Sequence, residues 1–178
     1  MSTRTQLRFV HPDRGTVAQI YNHSDGYPDS IIPELAELRE VLEEQGWVRG
    51  PNYAAAQFMF LRKLGSMSWK AGELEDDEDP FDMENYDRAY FLGGHGVENP
   101  ADNIHGDEEY IYEVTVPHSR DDTEWSVKVS RDFPEPEWET RSGETRGYAF
   151  EEGEDAWTEA TWDYEGDLEG ALDKYTEE

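Results

Sequence analysis

The chain has 178 residues, a length that fits a single domain over residues 1–178 with a sizeable hydrophobic core. Its 43 Asp and Glu residues exceed 15 Lys and Arg, so the formal net charge is −28, which disfavours direct binding to nucleic acid or anionic lipid. The absence of Cys excludes disulfide bonds and thiolate metal sites. No window approaches the roughly 18 apolar residues of a membrane span, and the N-terminus lacks the apolar stretch of a signal peptide. We therefore expect a soluble, cytoplasmic protein.

The charge pattern predicts adaptation to concentrated salt. A large charge excess destabilises a compact chain in dilute buffer through self-repulsion, whereas molar salt shortens the Debye length to about 3 Å and screens that repulsion. The acidic residues are spread over the whole chain, and Lys occurs only at positions 63, 70, 128 and 174. Proteins of extreme halophiles share this pattern. We therefore expect a cytoplasm of high salt concentration and interpret the carboxylates as a solvent adaptation.

The first predicted element is a β-hairpin. Apolar residues that include Phe9 and Ile20 flank a turn-rich segment at 11–15, so two antiparallel strands should be joined by that turn. A tight loop is expected at 23–28, because Asp-Gly favours turns and the residue before a proline is restricted to extended geometry.

Two helices should follow the hairpin. The first should begin near Ser30 and end at Gly46. Its apolar residues form a single stripe, which consists of Ile31, Leu35, Leu38 and Leu42. The second should be capped by Asn52 and end near Leu64. Because its apolar residues lie on two sides, we expect a central helix that is buried between layers.

The middle of the chain predicts loops and strands. Residues 72–87 concentrate acids and predict an exposed acidic loop, followed by a short strand at 88–92 and a Gly-rich loop at 93–103. The strand signal is strongest at 109–116, which is rich in β-branched and aromatic residues. The alternating segment 125–129 should pair with that strand.

The last part of the chain predicts little regular structure. Residues 132–164 show weak periodicity and indicate an irregular segment, rich in acids and aromatics, whose aromatic side chains hold it in place. Residues 167–175 predict a short helix. Taken in chain order, the elements indicate an α+β fold: an antiparallel or mixed sheet with two main helices packed on one face and a short C-terminal helix.

A family resemblance rests on three stretches of the sequence. They are Ser2-Thr3-Arg4, the run 15–28 that ends in Tyr21-Asn22-His23-Ser24-Asp25-Gly26-Tyr27-Pro28, and the Tyr-rich run 107–114. Together they cover about a third of the chain and resemble an uncharacterised group of short proteins encoded by tailed phages, archaeal viruses and integrated elements. The resemblance implies a mobile-element origin and no particular activity. Ser24 stands where many members carry an aromatic residue, so a stacking contact at that position would be absent here.

His23 and Asp25 are the first candidates for a functional site. Alternate residues of an extended strand share one face, so Tyr21, His23 and Asp25 should point to the same side. A histidine, a carboxylate and a phenol together can bind a metal or move a proton. The alternative is structural, with Asp25 capping the turn and His23 bonded to a loop. Tyr27 belongs to the same expected binding surface.

A divalent metal is the one cofactor that the sequence leaves open, since no complete cofactor motif is present. His95 and His105 lie in or beside the Gly-rich loop. If that loop folds against the turn at 23–28, His23, Asp25, His95 and His105 would form a histidine and carboxylate ligand set. The spacing of His95 and His105 matches no established metal motif. The Gly-rich loop also lacks the ending of a phosphate-binding loop.

Three functions stay open at this point. The leading hypothesis is an accessory or interaction protein of a haloarchaeal virus or integrated element, which would contact an unidentified partner protein through exposed aromatics such as Trp138 and Trp157. The second is a DNA mimic that inhibits a host nucleic-acid-binding defence protein. It would need rows of carboxylates that match about one phosphate charge per 1.7 Å of duplex. The third is a small metal-dependent enzyme that uses the histidine and carboxylate set.

Overall fold

The computed structural model describes residues 3–71, 94–117 and 124–176. The predicted acidic loop at 72–87 and the predicted strand at 88–92 lie outside these ranges. The strands are β1 (Thr5–His11), β2 (Gly15–Asn22), β3 (His95–Glu98), β4 (Tyr110–Thr115), β5 (Ser126–Ser130), β6 (Trp138–Glu139), β7 (Thr145–Arg146) and β8 (Tyr164–Asp167). The helices are α1 (Pro28–Glu44), α2 (Pro51–Ala71) and α3 (Leu168–Thr176). The α+β prediction is confirmed.

Within the described residues, the main sheet has six strands in the order β3-β2-β1-β4-β5-β8. β1 and β4 pair in parallel at its centre, while the other four pairings are antiparallel, so the sheet is mixed. The predicted hairpin is β1 and β2, and the predicted pairing of the Tyr-rich strand with the alternating segment is β4 and β5. One expectation was wrong: part of the Gly-rich loop forms the edge strand β3, which pairs with β2 from Asn22 to Gln19.

All three helices pack on one face of the sheet, where alternate strand residues form the main core. The strands contribute Leu7, Phe9, Ile20, Tyr112, Val114, Val127 and Val129 to that core. The stripe predicted on α1 is buried against them, and Leu168 and Ala171 bring α3 to the same core. Burial of these apolar side chains is the main favourable term for the fold, at about 25 cal/mol per Å².

The start of α1 follows from its local sequence. Tyr27 is extended at the N-cap with φ −68° and ψ 149°, as expected for a residue before proline. Pro28 then occupies the first helical position, where a missing N–H costs nothing because that group has no helical partner. The helix therefore begins two residues before the predicted Ser30. Gly46, with φ 64°, follows its last turn as predicted.

α2 differs from its prediction, because it is buried on only one side. Phe58 lies in the core, whereas Phe60 is 58 % exposed and Leu64 is exposed as well. Among the described residues the sheet supplies a layer beneath α2, but no second layer covers its outer stripe. The capping prediction was also wrong, since the helix begins at Pro51 and Asn52 lies inside its first turn.

The opposite face of the sheet is covered by a smaller cluster. It consists of Ile104, Ile111, Ala156 and Trp157, with Phe133, Phe150, Ala160 and Trp162 packed around it. Most of these residues belong to 132–164, a stretch whose regular structure is limited to the two-stranded sheet of β6 and β7 and the first residue of β8. No helix within the described ranges is long and apolar enough to span a membrane.

Candidate functional site

The Asp-Gly-Tyr-Pro segment at 25–28 connects β2 to α1, and hydrogen bonds join it to the residues before β1 and to β4. Asp25 adopts a left-handed φ of 54°. The Gly26 N–H donates to the Thr3 carbonyl at 3.1 Å, and the Gly26 carbonyl accepts from the Tyr112 hydroxyl at 2.7 Å. A Cβ at Gly26 would come within 2.7 Å of the Thr5 Cγ2 atom, so the segment packs as closely as it does because this residue is glycine.

Arg62 of α2 holds the same junction from the core side. Its Nη2 group donates to the carbonyls of Ser24 at 2.8 Å and Asp25 at 3.1 Å. Its Nη1 group donates to Glu34 Oε1 at 2.7 Å and to Ser30 Oγ at 3.2 Å. Burial raises the pKa of Glu34, while the charge and hydrogen bond of Arg62 oppose that rise. These contacts favour the structural interpretation of the turn.

On the face of the sheet opposite the helices, the Tyr21 side chain contacts two histidines, His23 and His105. Its hydroxyl lies 3.0 Å from His23 Nδ1, and its ring centroid lies 4.8 Å from that of His105. His105 Nε2 lies 3.2 Å from Glu98 Oε1, and the buried Glu108 accepts the backbone N–H of His105 at 3.3 Å. Tyr21 and His23 thus share a face, as the strand alternation predicted. Burial, followed by the charge of a nearby carboxylate, raises the pKa of the Tyr21 hydroxyl.

The predicted metal ligands do not come together as a set of four. His95 pairs with Asn22, whose side chain accepts from Arg62 at 3.4 Å on the helix side of the sheet. Cross-strand partners point to the same face, so His95 lies opposite the face that carries His23 and His105. Asp25 follows the end of β2 in a left-handed turn, which breaks the alternation used to place it. Within the described residues, no three His, Asp or Glu side chains are arranged to hold a metal ion.

The two tryptophans predicted for an interface have different environments. Trp138 of β6 is 46 % exposed, as an interface residue should be. Trp157 is only 3 % exposed, and the Arg8 guanidinium lies 4.4 Å from its ring centroid. Arg8 in turn donates to Gln19 at 2.9 Å and to Asp155 at 2.8 Å. The prediction of an exposed Trp157 was therefore wrong, because this ring covers a polar part of the sheet.

A cleft lined by tyrosines is the most distinctive surface of the described structure. It has a volume of about 430 Å³. We call it the tyrosine cleft, and its lining residues are Tyr27, Pro28, Asp29, Tyr110, Arg131, Asp163, Lys174 and Tyr175. Tyr27 is 43 % exposed, and its ring meets that of Tyr110 edge-on at a centroid distance of 6.0 Å. Aromatic walls of this kind supply large contact area at a low cost in side-chain entropy.

Two cations are fixed beside these rings. The Arg131 guanidinium carbon lies 5.9 Å from the Tyr110 ring centroid, and the Lys174 ammonium lies 5.2 Å from that of Tyr175. Asp163 orients both residues, because its carboxylate accepts the Arg131 backbone N–H at 3.1 Å and its carbonyl accepts from Lys174. No carboxylate forms an ion pair with either cation among the described residues.

Tyr175 brings a phenol that is not used inside the described structure. Its hydroxyl oxygen is buried and has no hydrogen-bond partner among the described residues. Burial, reinforced by the charge of Asp163, raises the pKa of Tyr175 to about 12, so this hydroxyl stays protonated at neutral pH. Tyr175 therefore contributes its ring to the wall of the cleft, while its neutral hydroxyl lies buried behind that wall.

Of the residues proposed from sequence, only Tyr27 belongs to the tyrosine cleft. Two of its other members begin α1, and the rest come from the start of β4, the residue after β5, the residue before β8 and the end of α3. The segments around residues 28, 110, 131, 163 and 174 lie far apart in the chain, and no local spacing indicates that they meet. The cleft forms because β4 and β5 lie beside each other while α3 packs on α1.

Comparison with known proteins adds no relative. No protein-family model matches the chain. No curated protein and no solved structure is significantly similar to it.

Proposed function

We propose that the chain is a non-catalytic interaction protein that recognises a partner protein through the tyrosine cleft. The observation that carries this proposal is the convergence of Tyr27, Tyr110 and Tyr175 with two cations that lack carboxylate partners among the described residues. Tyr and Arg are among the residues that dominate binding hot spots, because they combine a large contact area with directional hydrogen bonds.

Charge indicates which part of the surface a partner can use. The whole chain carries a net charge of −28. In the cleft, by contrast, Arg131 and Lys174 balance Asp29 and Asp163. A partner from the same salt-adapted proteome would itself be acidic, so contact elsewhere would bring like charges together. The cleft suits a segment that places an apolar or aromatic side chain between the tyrosines and a carboxylate near the two cations.

The proposal extends to origin and environment. We propose an accessory protein of a haloarchaeal virus or integrated element, which works in the concentrated salt of its host cytoplasm. The support is the resemblance carried by 15–28 and 107–114, together with the acidic surface. We do not propose a metal-dependent enzyme, because the described structure does not bring His23, Asp25, His95 and His105 together in one site.

Thermal unfolding at increasing KCl concentration tests the environment. The Debye length falls from about 10 Å at 0.1 M to about 3 Å at 1 M salt, so the melting temperature should rise steeply over that interval as self-repulsion is screened. An equal melting temperature in dilute and molar KCl would contradict salt adaptation. The carboxylates would then need a role of their own, and the DNA-mimic hypothesis would replace the present one.

Capture of a partner tests the tyrosine cleft. The tagged full chain would be incubated with haloarchaeal lysate in molar KCl, beside a cleft variant that combines Tyr27→Ala with Lys174→Gln. The matched control combines Trp47→Ala with Arg141→Gln, which removes an exposed ring and a charge away from the cleft. We expect the parent and the control to retain one specific protein and the cleft variant to lose at least nine-tenths of it.

Two results would contradict the proposal. Retention of the same partner by the cleft variant would show that another surface binds it, and Trp138→Ala would then test the exposed ring of β6. Repeated capture of no specific protein would oppose an interaction role altogether. Circular dichroism of each variant in the capture buffer separates loss of binding from loss of folding.

A further inference from the structure

A second cleft lies where the β1–β2 hairpin meets the start of α2. Its volume is about 310 Å³. We call it the guanidinium cleft, and its lining residues are His11, Arg14, Val17, Arg49, Pro51 and Asn52. No carboxylate belongs to this lining, although the chain contains 43 Asp and Glu residues. The lining is therefore positive on a protein that is otherwise strongly negative.

The two arginines of this cleft keep their charge available. Other guanidinium groups of the chain contact carboxylates, as those of Arg4, Arg8, Arg39, Arg62 and Arg146 do. Arg14 and Arg49 form no such ion pair within the described part of the chain. The Arg49 guanidinium carbon lies 5.5 Å from the Tyr53 ring centroid, a cation–π contact that orients the group without neutralising it.

The backbone at the start of α2 adds to the positive character. The first helical hydrogen bond runs from the Ala54 N–H to the Gly50 carbonyl at 3.1 Å, so the N–H groups of Asn52 and Tyr53 precede the helical ladder. No acidic residue occupies the first turn to take up these donors. A helix N-terminus contributes the equivalent of about half a positive charge, which supplements the two guanidinium groups.

We propose that the guanidinium cleft binds a phosphate monoester of small-molecule size. A guanidinium group presents a planar fork of donors that matches two oxygens of a phosphate. Two such forks supply two positive charges, which match a dianionic phosphate better than the single charge of a carboxylate. The cleft volume of about 310 Å³ lies at the lower end of the roughly 300–1,000 Å³ of small-molecule pockets. Val17 and Pro51 give the organic group of the ester an apolar wall.

This site is separate from the tyrosine cleft, since the two linings share no residue. The inference therefore does not rest on the proposed partner protein. It gives the chain a small-molecule ligand in addition to a protein contact. Either site can fail its test while the other passes.

Calorimetric titration of the full chain at constant ionic strength tests the inference. The probes are phenyl phosphate, inorganic phosphate and benzoate, which separate the ester, the bare anion and a carboxylate on the same ring. We expect one saturable site for phenyl phosphate that persists in the tyrosine-cleft variant Tyr27→Ala with Lys174→Gln, with inorganic phosphate weaker and benzoate at least tenfold weaker. Equal or tighter binding of inorganic phosphate or benzoate would overturn the monoester assignment. The absence of saturable binding up to about 10 mM phenyl phosphate would overturn the site itself.

Paired variants separate this cleft from the general charge of the surface. Arg14→Gln combined with Arg49→Gln should weaken phenyl phosphate binding at least tenfold. The control combines Arg141→Gln with Arg146→Gln, which removes the same charge outside both clefts and should leave the affinity within twofold. Equal weakening in both pairs would overturn the inference, because a nonspecific charge effect would then explain the binding. All four arginines are exposed, so neither pair removes a core contact.

Discussion

Replacement of Arg62 should have the largest effect of any single change at the β2–α1 junction. Its side chain is almost fully buried, and it bonds to Glu34 at 2.7 Å and to the carbonyls of Ser24 and Asp25. Removing one partner of a buried pair costs about 3–5 kcal/mol, because the other charge loses its compensation. The Glu34 side chain retains 31 % exposure, so the pair is only partly buried, although the Oε2 atom itself is buried and has no hydrogen-bond partner among the described residues. We therefore expect Arg62→Met to cost about 3 kcal/mol, the lower end of that range.

A double-mutant cycle can isolate the ion pair from the other contacts of Arg62. Glu34→Gln keeps a hydrogen-bond acceptor and removes the charge, so it should cost about 1 kcal/mol. Once Arg62 is absent, the same change removes the uncompensated charge and should recover about 1 kcal/mol. The double variant should therefore lose about 2 kcal/mol and not the sum of about 4, which corresponds to a coupling energy of about 2 kcal/mol.

Urea unfolding in molar KCl, followed by tryptophan fluorescence, measures these changes in the free energy of unfolding. Trp125 and Trp157 are buried and report on the loss of tertiary structure. Arg146→Met is the control, because its pair with Glu144 is exposed and should contribute no more than about 0.5 kcal/mol. A cost below about 1 kcal/mol for Arg62→Met, or additive losses in the double variant, would refute the reasoning.

Three further predictions concern packing and pH. Gly26→Ala should destabilise the protein by about 1–3 kcal/mol in urea unfolding, because its Cβ would approach a threonine methyl group of β1 to 2.7 Å. At Gly65 of α2 an added Cβ meets nothing within 4 Å, so Gly65→Ala should stabilise the protein by up to about 1 kcal/mol. A variant Gly65→Ala that is less stable than Gly26→Ala would contradict this packing. Trp157 is buried, so Trp157→Ala should cost about 3–5 kcal/mol in the same assay. Trp138 is exposed, so Trp138→Ala should change the free energy of unfolding by no more than about 0.5 kcal/mol. Equal losses for the two variants would contradict this difference in burial. An unfolded tyrosine ionises near pH 10, while Tyr175 in the folded chain has a pKa of about 12. Its contribution to stability is therefore complete below about pH 10 and is lost as the pH rises to about 12. Burial also raises the pKa of Tyr112 well above its ordinary value, so absorbance titration should show more than one late phenol, of which Tyr175→Phe removes one. An unchanged number of late phenols in that variant would oppose the assignment.

Local patterns were sufficient to predict most elements of the fold. The stripe from Ile31 to Leu42 identified α1, and the β-branched run at 109–116 identified β4, because side-chain periodicity follows directly from backbone geometry. Periodicity failed for α2, where two apolar stripes predicted burial on both sides. Phe60 on the outer stripe is exposed, since no described element packs over it. Apolar character indicates what a surface can contact but not whether a second layer reaches it.

At the candidate site, local sequence patterns predicted some side-chain positions correctly and others wrongly. Strand alternation correctly placed Tyr21 beside His23, because β2 continues to Asn22. It misplaced Asp25, whose left-handed backbone turns the chain just after the strand ends. Trp157 was expected to be exposed at an interface, yet its ring covers the buried Arg8 of the sheet beneath it. The tyrosine cleft depends on contacts between distant elements, which no window of sequence records.

The parallel pairing of β1 with β4 determines the order in which the chain can fold. β1 is complete at residue 11, but the strand that covers its second edge is not complete until residue 115. During synthesis, the hairpin and the first two helices can therefore form while one side of β1 still presents unpaired backbone groups. An open edge of this kind is where strands of different chains associate. Nascent chains stalled before residue 115 should therefore aggregate far more readily than the finished protein.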